Sequence, residues 1–283
     1  MTIVAPPADP IAVARHRAAL PLRRTVLDVH LLAKRNLMKV MRKPRFIIFS
    51  TLQPIMQLIL FVFVFGSIAQ LRGLGLSYKD FVVPAVIIQT MTFTGVQSGI
   101  GIADDMNTGM IDRFRSLPIA RASFLLGRTA SDTARLTFQV LLLVATALVI
   151  GFRFQNGMVS GVAMIVIAIM FGMALITFSE YVGLAVKDPE TVQAAMFIPL
   201  LPLVFTSSAF APISRLPGWM QPFAEVNPVT SAIDTARGLS IGDDKLYRVS
   251  QVHLSTAFTR FAITWVIIMV VFTFLAVRQW RKN

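Results

Sequence analysis

Six long runs of apolar residues constrain this chain more than any other feature of its sequence. Each run holds 18 to 25 residues, which is the length an α-helix needs to cross about 30 Å of hydrocarbon at about 1.5 Å per residue. Soluble domains carry about 25% charged residues, whereas this chain carries 14%. The sequence therefore predicts an all-α integral membrane protein with six transmembrane helices, over Phe46–Ser67, Phe81–Ile102, Ala134–Gly151, Val162–Val186, Gln193–Ala211 and Ala257–Val277.

The distribution of positive charge predicts how these helices are oriented. The net charge is +13, and if both termini are cytoplasmic, nineteen Lys and Arg residues fall on the inner side against eight on the outer side. Because cytoplasmic loops collect Lys and Arg, this orientation is favoured. A nucleic-acid-binding protein would need a basic folded surface with a reading element, and the sequence offers none.

Residues 1–45 are predicted to be a cytoplasmic region, and residues 46–283 a single six-span domain. Leu22–Lys43 repeats apolar residues at spacings of three and four, with Lys and Arg between them. This pattern is typical of an amphipathic helix in the headgroup layer, and Pro44 is expected to end it. The alternative is a solvated helix packed on a partner. We expect no cleaved secretory signal, because the first apolar run begins only at Phe46.

The predicted cytoplasmic loop at residues 104–132 mixes charged and apolar side chains. Gly109 is expected to end the helix of the second span, and Pro118 to end a short amphipathic helix. Such a helix is a natural docking element for a cytosolic partner. The alternative is a solvated loop whose arginines follow the positive-inside rule. The candidate docking residues are Asp104, Asp105, Gly109, Met110, Arg113, Phe114, Arg115, Pro118 and Arg121.

Residues 207–240, predicted to lie outside, are too interrupted to span a membrane and too apolar for an ordinary loop. Asn227 is expected to cap a short helix that has Pro228 at its first position and Gly238 as its stop. A re-entrant helical pair over a pathway is predicted, because irregular backbone at membrane depth must be covered. The alternative is an outer loop with two surface helices. The candidate gate residues are Phe210, Pro212, Pro217, Trp219, Asn227, Pro228 and Arg237.

These two segments carry a resemblance to a known family. The outer one resembles the signature of type-2 ABC export permeases at Ser208, Phe210, Pro212, Pro217, Trp219, Asn227-Pro228 and Arg237, and the inner one resembles it at Gly109, Pro118-Ile119 and Arg121. The chain is most similar to daunorubicin-resistance-type membrane subunits of bacteria, over nearly its whole length. The resemblance implies six spans, a coupling helix after the second and a re-entrant helical pair after the fifth. It also implies an interfacial helix at Leu22–Lys43, and two permease subunits working with two ATPase subunits.

The sequence lacks the groups that an enzyme or an ATPase would need. No G-x-x-x-x-G-K-[ST] motif occurs, and this motif builds the Walker-type phosphate cradle. There are no cysteines, and His16, His30 and His253 lie in separate regions, so no metal or catalytic site is predicted. We therefore expect no enzymatic activity and no cofactor in this chain, with ATP and Mg²⁺ bound by a partner ATPase.

Polar residues within the apolar runs are candidates for a pathway or a subunit contact, since intramembrane polar groups usually face the helix bundle. For the glutamines, helix packing is the alternative role. Glu180, the only acid inside a predicted span, is a candidate proton site, but its position near the cytoplasmic end favours a solvated or hydrogen-bonded role. The candidates are Gln53, Gln57, Gln89, Gln97 and Glu180.

Together these features predict the membrane subunit of an ATP-driven exporter in the bacterial cell membrane. The expected substrate is an amphipathic drug or a lipid, and the expected partners are an ATPase, a second permease and membrane lipids, with no nucleic acid. A proton-coupled secondary transporter is the alternative, although it needs titratable groups near the midplane. A non-transporting scaffold would leave the proline-rich outer segment unexplained.

Overall fold

The computed structural model describes residues 29–31, 33–34, 38, 44–66, 77–110 and 121–282. Within these residues all regular structure is helical, and no strand occurs. Residues 29–31, 33–34 and 38 of the predicted N-terminal helix are helical, and the rest of Leu22–Lys43 lies outside the described residues.

The main helices of the described chain follow one another with short connections. They are α1 (Pro44–Leu60, continued by a π-helical turn at Phe61–Phe65), α2 (Tyr78–Asn107), α3 (Arg121–Val149), α4 (Gly157–Val186), α5 (Pro189–Phe205), α6 (Gln221–Val226), α7 (Pro228–Ile241), α8 (Asp243–Ser250) and α9 (Leu254–Lys282). A 3-10 turn at Ile213–Arg215 precedes α6.

Within the described residues, four helices are long and apolar enough to cross a membrane. They are α2, α4, the part of α3 at Leu125–Val149 and the part of α9 at Leu254–Trp280. The first and fifth predicted spans correspond to shorter apolar helices, at Thr51–Val64 and Pro189–Phe205. An all-helical membrane protein is therefore confirmed, while crossing by these two shorter helices stays a prediction.

The fifth predicted span, Gln193–Ala211, is wrong at its end. α5 stops at Phe205, and the backbone N–H of Thr206 caps it by donating to the carbonyls of Pro202 and Val204. The chain turns here because buried serines bond sideways: Ser208 Oγ donates to Asp234 Oδ1 at 2.9 Å. The apolar run therefore continues beyond the end of the helix.

The third predicted span, Ala134–Gly151, begins too late. α3 starts at Arg121, and its first turns hold charged side chains at helical spacing. Arg128 Nε lies 3.6 Å from Asp132 Oδ2, and Arg135 Nη2 lies 3.6 Å from Asp132 Oδ1. Pairs at these spacings stabilise a helix. Asp132 therefore lies inside a candidate span, so the prediction that Glu180 is the only acid there is also wrong.

α2 forms the centre of the bundle. Of its most apolar window 89% is buried, against 11% for α9 at the periphery, and α2 packs against α3, α4, α5 and α7. Its closest neighbour is α4, because Gly95 and Gly99 face Ser179 and Gly183. The backbone N–H of Gly99 donates to Ser179 Oγ at 2.9 Å. Small residues at such a crossing let two membrane helices approach closely.

Candidate functional site

The helix of the outer segment, α7, is inserted into the bundle. All of its residues except Pro228 and Leu239 are buried, and it packs against α2, α4 and α9. Alanine, serine, threonine and glycine make up much of this helix, and such small residues allow close packing between helices. The predicted short helix is therefore confirmed, as a packed element and not a helix on the surface.

The predicted end of this helix is wrong. α7 continues past Gly238 to Ile241, and Gly242, at φ +95°, ends it. Gly238 has another role: a Cβ built there would lie 2.8 Å from side-chain atoms of Leu246 and of Leu254. This glycine leaves room for α8 and the start of α9 to pack against α7.

Asn227 fixes the start of α7 as predicted. Its Oδ1 accepts a hydrogen bond from the backbone N–H of Val229 at 2.9 Å, and Pro228 occupies the first helical turn. Its Nδ2 also donates to the carbonyl oxygen of Leu203 at 2.6 Å. A single side chain therefore caps α7 and joins it to the end of α5.

Arg237 is fully buried, and all of its neighbours are polar or aromatic. Its Nη1 donates to Asp234 Oδ1 at 2.9 Å, its Nε to the carbonyl oxygen of Phe81 at 3.2 Å, and its Nη2 to that of Ser208 at 3.0 Å. The guanidinium carbon lies 3.9 Å from the centre of the Phe81 ring, a cation–π distance. This residue therefore connects α7 to the start of α2 and to the turn after α5.

Asp234 completes the arrangement around Arg237. Its Oδ1 also accepts from Ser208 Oγ at 2.9 Å and from Ser250 Oγ at 3.1 Å. A buried charge is tolerable when it is paired and hydrogen-bonded, and this pair meets both conditions. We call this group the outer lock: Phe81, Ser208, Asp234, Arg237 and Ser250.

A second polar contact lies beside the outer lock. Gln155, in the connection between α3 and α4, donates through Nε2 to Asp80 Oδ2 at 2.7 Å and through its backbone N–H to Ser240 O at 2.8 Å. Its Oε1 accepts from Lys245 Nζ. The start of α2, the end of α7 and α8 are therefore held together at one end of the bundle.

The other predicted gate residues divide into packed and exposed groups. Phe210 stacks on Phe205 at 5.3 Å between ring centres and lies 5.6 Å from Phe61, and Pro212 is buried. By contrast, Pro217 is exposed and Trp219 is 72% exposed. The packed residues close the segment onto α1 and α5, and the exposed ones form its outer surface.

At the opposite end of the bundle, polar side chains of α2, α3 and α4 meet. Arg128 pairs with Asp105, and Ser98 Oγ donates to Asp132 Oδ2 at 2.5 Å. Glu180 is 2% exposed, and its Oε1 lies 2.9 Å from Thr129 Oγ1. The hydrogen-bonded role predicted for Glu180 is confirmed, and the solvated one is wrong. We call this group the inner cluster: Ser98, Asp105, Arg128, Thr129, Asp132 and Glu180.

The predicted docking residues are described in part. Gly109, at φ +65°, follows the end of α2 as predicted, Asp104 is exposed, and Met110 is half-buried. Arg121 begins α3, and its side chain is not among those described. Arg113, Phe114, Arg115 and Pro118 lie outside the described residues.

Two of the four candidate glutamines meet. Gln57 Nε2 of α1 donates to Gln89 Oε1 of α2 at 3.2 Å, which is the bonding between helices that was the alternative to a pathway role. Gln53 and Gln97 are exposed on α1 and α2.

Several residues of the two polar groups were missed from the sequence. Asp132 had a detectable signal, because it stands four residues after Arg128 and three before Arg135. Asp234 likewise stands three residues before Arg237. Ser98 and Thr129 had no signal, because a single hydroxyl within an apolar run shows no partner until the helices are packed.

A family model described as ABC-2 type transporter matches residues 28–240. The match includes the inner cluster and nearly all of the outer lock. The chain belongs to the ABC-2 type transporter family.

Curated relatives of this ABC-2 transporter are permeases. The daunorubicin resistance ABC transporter permease protein DrrB1 of Streptomyces coeruleorubidus is 30% identical over 191 residues, which cover 68% of this chain and 67% of that protein. The doxorubicin resistance ABC transporter permease protein DrrB of Mycobacterium tuberculosis is 26% identical over 168 residues, or 59% of this chain and 58% of the relative. The chain is thus the membrane permease subunit of an ABC exporter, and the proton-coupled alternative is not favoured.

Proposed function

We propose that this permease exports an amphipathic drug or a lipid across the bacterial cell membrane, driven by a separate ATPase subunit and paired with a second permease. One observation carries the proposal: α2 is bonded at one end to the outer lock and at the other to the inner cluster. A helix fixed at both ends in this way couples events on one face of the membrane to the other face.

The coupling to ATP is proposed to enter through residues 104–132. Asp105 and Arg128 form an ion pair between the two helices that flank this segment, the end of α2 and the start of α3. An ATPase that displaces the segment would therefore move both helices together. ATP must favour one arrangement of the permease by differential contacts, and this pair offers a direct mechanical connection.

The outer segment is proposed to act as a re-entrant gate. α7 is buried against α2, α4 and α9, while Trp219, Phe223 and Val226 are 72%, 64% and 79% exposed. An exposed Trp beside apolar side chains suits the membrane interface. The gate would close the outer end of the pathway while the outer lock is intact and open when it breaks.

The substrate class follows from the relatives and from two exposed polar groups. The printed names of the relatives concern resistance to daunorubicin and doxorubicin. Gln53 and Gln97 are exposed on helices that are otherwise apolar, and a polar group in a membrane helix usually faces a partner or a water-filled path. We propose that they face the second permease or an amphipathic substrate.

The test is reconstitution of the permease in lipid vesicles with its ATPase, measuring ATP hydrolysis and export of a fluorescent amphiphile. Phe114→Ala is expected to lower both at least tenfold while the melting temperature of the permease stays unchanged. The matched control, Lys187→Ala, changes an exposed residue on the same predicted face and is expected to have no effect. Full ATP-coupled export by Phe114→Ala would contradict the docking role, and export without any ATPase would contradict the whole proposal.

A further inference from the structure

Glu180 lies in an environment that offers a carboxylate few hydrogen-bond donors. It stands in the last third of α4 and is 2% exposed. Two hydroxyl groups are its hydrogen-bond contacts in the described part of the chain: Thr129 Oγ1, at 2.9 and 3.0 Å from the two carboxyl oxygens, and Ser98 Oγ, at 3.5 Å. Each hydroxyl has one hydrogen to donate, so the direction of each bond decides the state of the acid.

The hydrogen of Thr129 has another acceptor. Thr129 Oγ1 lies 3.0 Å from the carbonyl oxygen of Leu125, one helical turn earlier. Other helical threonines of this chain donate to that same position, four residues back, including Thr90, Thr92, Thr137, Thr146 and Thr177. With its hydrogen on Leu125 O, Thr129 can only accept from Glu180.

The hydrogen of Ser98 is also taken. Ser98 Oγ lies 2.5 Å from Asp132 Oδ2, the short distance typical of a hydroxyl donating to a carboxylate. Its contact with Glu180 is 1 Å longer by comparison (3.5 Å). Neither hydroxyl therefore stabilises a negative charge on Glu180.

The charges around Glu180 balance without it. Arg128 and Arg135 pair with Asp105 and Asp132, so an ionised Glu180 would add an unpaired buried charge next to Asp132. Charged groups on the other helices that pack against α4 do not compensate. Glu190 of α5 and Arg278 and Lys282 of α9 are exposed, and Asp234 and Arg237 of α7 bond to each other at the opposite end of the bundle. An uncompensated charge of this kind is strongly unfavourable in a buried site.

We propose that Glu180 is a protonated carboxylic acid whose O–H donates to Thr129 Oγ1 and so positions α4 against α3. Loss of this proton leaves two neighbouring carboxylates, Glu180 and Asp132, with repulsion that water screens poorly at a buried site. The inner end of the bundle therefore opens as pH rises. This proposal concerns the fold of the permease and does not depend on the transport proposal.

The test uses the full-length purified permease in detergent micelles and three substitutions. Glu180→Gln keeps the shape and provides an amide N–H donor that is independent of pH, Glu180→Ala removes the contact, and Glu190→Gln makes the same chemical change at an exposed position. The melting temperature is measured from about pH 6 to about pH 9.5, a range in which ordinary exposed carboxyl groups stay ionised.

The wild type and Glu190→Gln are expected to lose melting temperature together towards alkaline pH. Glu180→Gln is expected to match the wild type at pH 6 and to lose less above pH 8, while Glu180→Ala melts lower throughout. If Glu180→Gln melts as low as Glu180→Ala at pH 6, or if all four proteins share one pH profile, the carboxyl group is ionised and the proposal is wrong.

Infrared spectroscopy gives a second readout that does not depend on how well a variant folds. The wild type at neutral pH is expected to show the carbonyl stretch of a protonated carboxylic acid, which disappears at alkaline pH. The difference between wild type and Glu180→Gln is expected to contain this band, and the difference with Glu190→Gln is not. Absence of the band from the first difference spectrum would overturn the proposal.

Discussion

At the scale of single residues, Arg237 is held by more than its ion pair. The guanidinium bonds to two carbonyl oxygens and to Asp234, and it lies against the Phe81 ring. Removing one partner of a buried ion pair is costly because the other charge remains without compensation, whereas removing both charges together often costs little. The value of Arg237 therefore depends on Asp234 being charged.

Arg237→Met is expected to lower the free energy of unfolding by about 3–5 kcal/mol, because it leaves the Asp234 carboxylate buried and unpaired. Adding Asp234→Asn is expected to recover part of this loss, since the amide oxygen still accepts from Ser208 and Ser250. Thermal unfolding in detergent measures both values. Arg215→Met, at an exposed position of the same segment, is the control, and a double variant no more stable than Arg237→Met would contradict the ion-pair argument.

Asp188 makes the start of α5 sensitive to acid. Its carboxylate accepts from Thr191 Oγ1 at 2.5 Å and from the Thr191 backbone N–H at 2.8 Å, and these bonds hold the pKa of Asp188 below its ordinary value. A lowered pKa means that the stabilisation is complete above the ordinary value for aspartate, about pH 4, and is lost as pH falls through the lower, folded value.

Asp188→Asn keeps an acceptor for the cap but removes the ionisation. The wild type is expected to be the more stable of the two at neutral pH, and the difference in melting temperature is expected to vanish on acidification below about pH 4. A difference that persists unchanged to about pH 2 would show that the charge of Asp188 does not contribute.

At the scale of helices, the contact between α2 and α4 is the closest in the bundle for a clear reason. A Cβ on Gly99 would overlap the carbonyl oxygen of Ser179, and one on Gly183 would overlap the backbone of Gly99. The obstacles are backbone atoms, which cannot rotate away as a long side chain can. Any larger residue must therefore separate the two helices.

Gly99→Ala is expected to destabilise the permease by about 1–3 kcal/mol, the usual cost of overpacking, and to weaken the bond from the Gly99 N–H to Ser179 Oγ. Gly218→Ala is the matched control, because nothing lies within 4 Å of the position its Cβ would take. Melting temperatures of the two variants give the comparison, and equal values would show that α2 and α4 are free to shift apart.

At the scale of the whole molecule, the predicted orientation is open to a direct labelling test. The chain has no cysteines, so single substitutions give an unambiguous signal. Trp219→Cys is expected to react with a membrane-impermeant maleimide added to intact cells, and Lys187→Cys only after the cells are opened. The reverse pattern would invert the orientation proposed here.

The sequence predicted the parts of this architecture that depend on local patterns. The long apolar runs indicated α2, α4 and α9, and the Asn227-Pro228 pair indicated the start of α7, because both signals act within a few residues. The end of α5 was missed because hydrophobicity alone does not show where a helix stops. Thr206 turns the chain only because Ser208 finds Asp234 on a distant helix.

The functional groups could be predicted less completely. Arg237 was identified through a resemblance, but its partners lie on three other segments of the chain. Glu180 was identified as an isolated acid, whereas its environment consists of two hydroxyl groups, on α2 and α3, that face it only after packing. Contacts of this kind arise from tertiary structure, so a pattern along one helix does not contain them.

The length of α2 has a mechanical consequence. Its 30 residues extend about 45 Å, so a tilt of about 5° about one end displaces the other by about 4 Å. That displacement exceeds the roughly 3 Å over which a hydrogen bond acts. A small swing at the cytosolic tip would therefore suffice to pull the Phe81 carbonyl away from its guanidinium, making this rod a lever whose far end releases a latch.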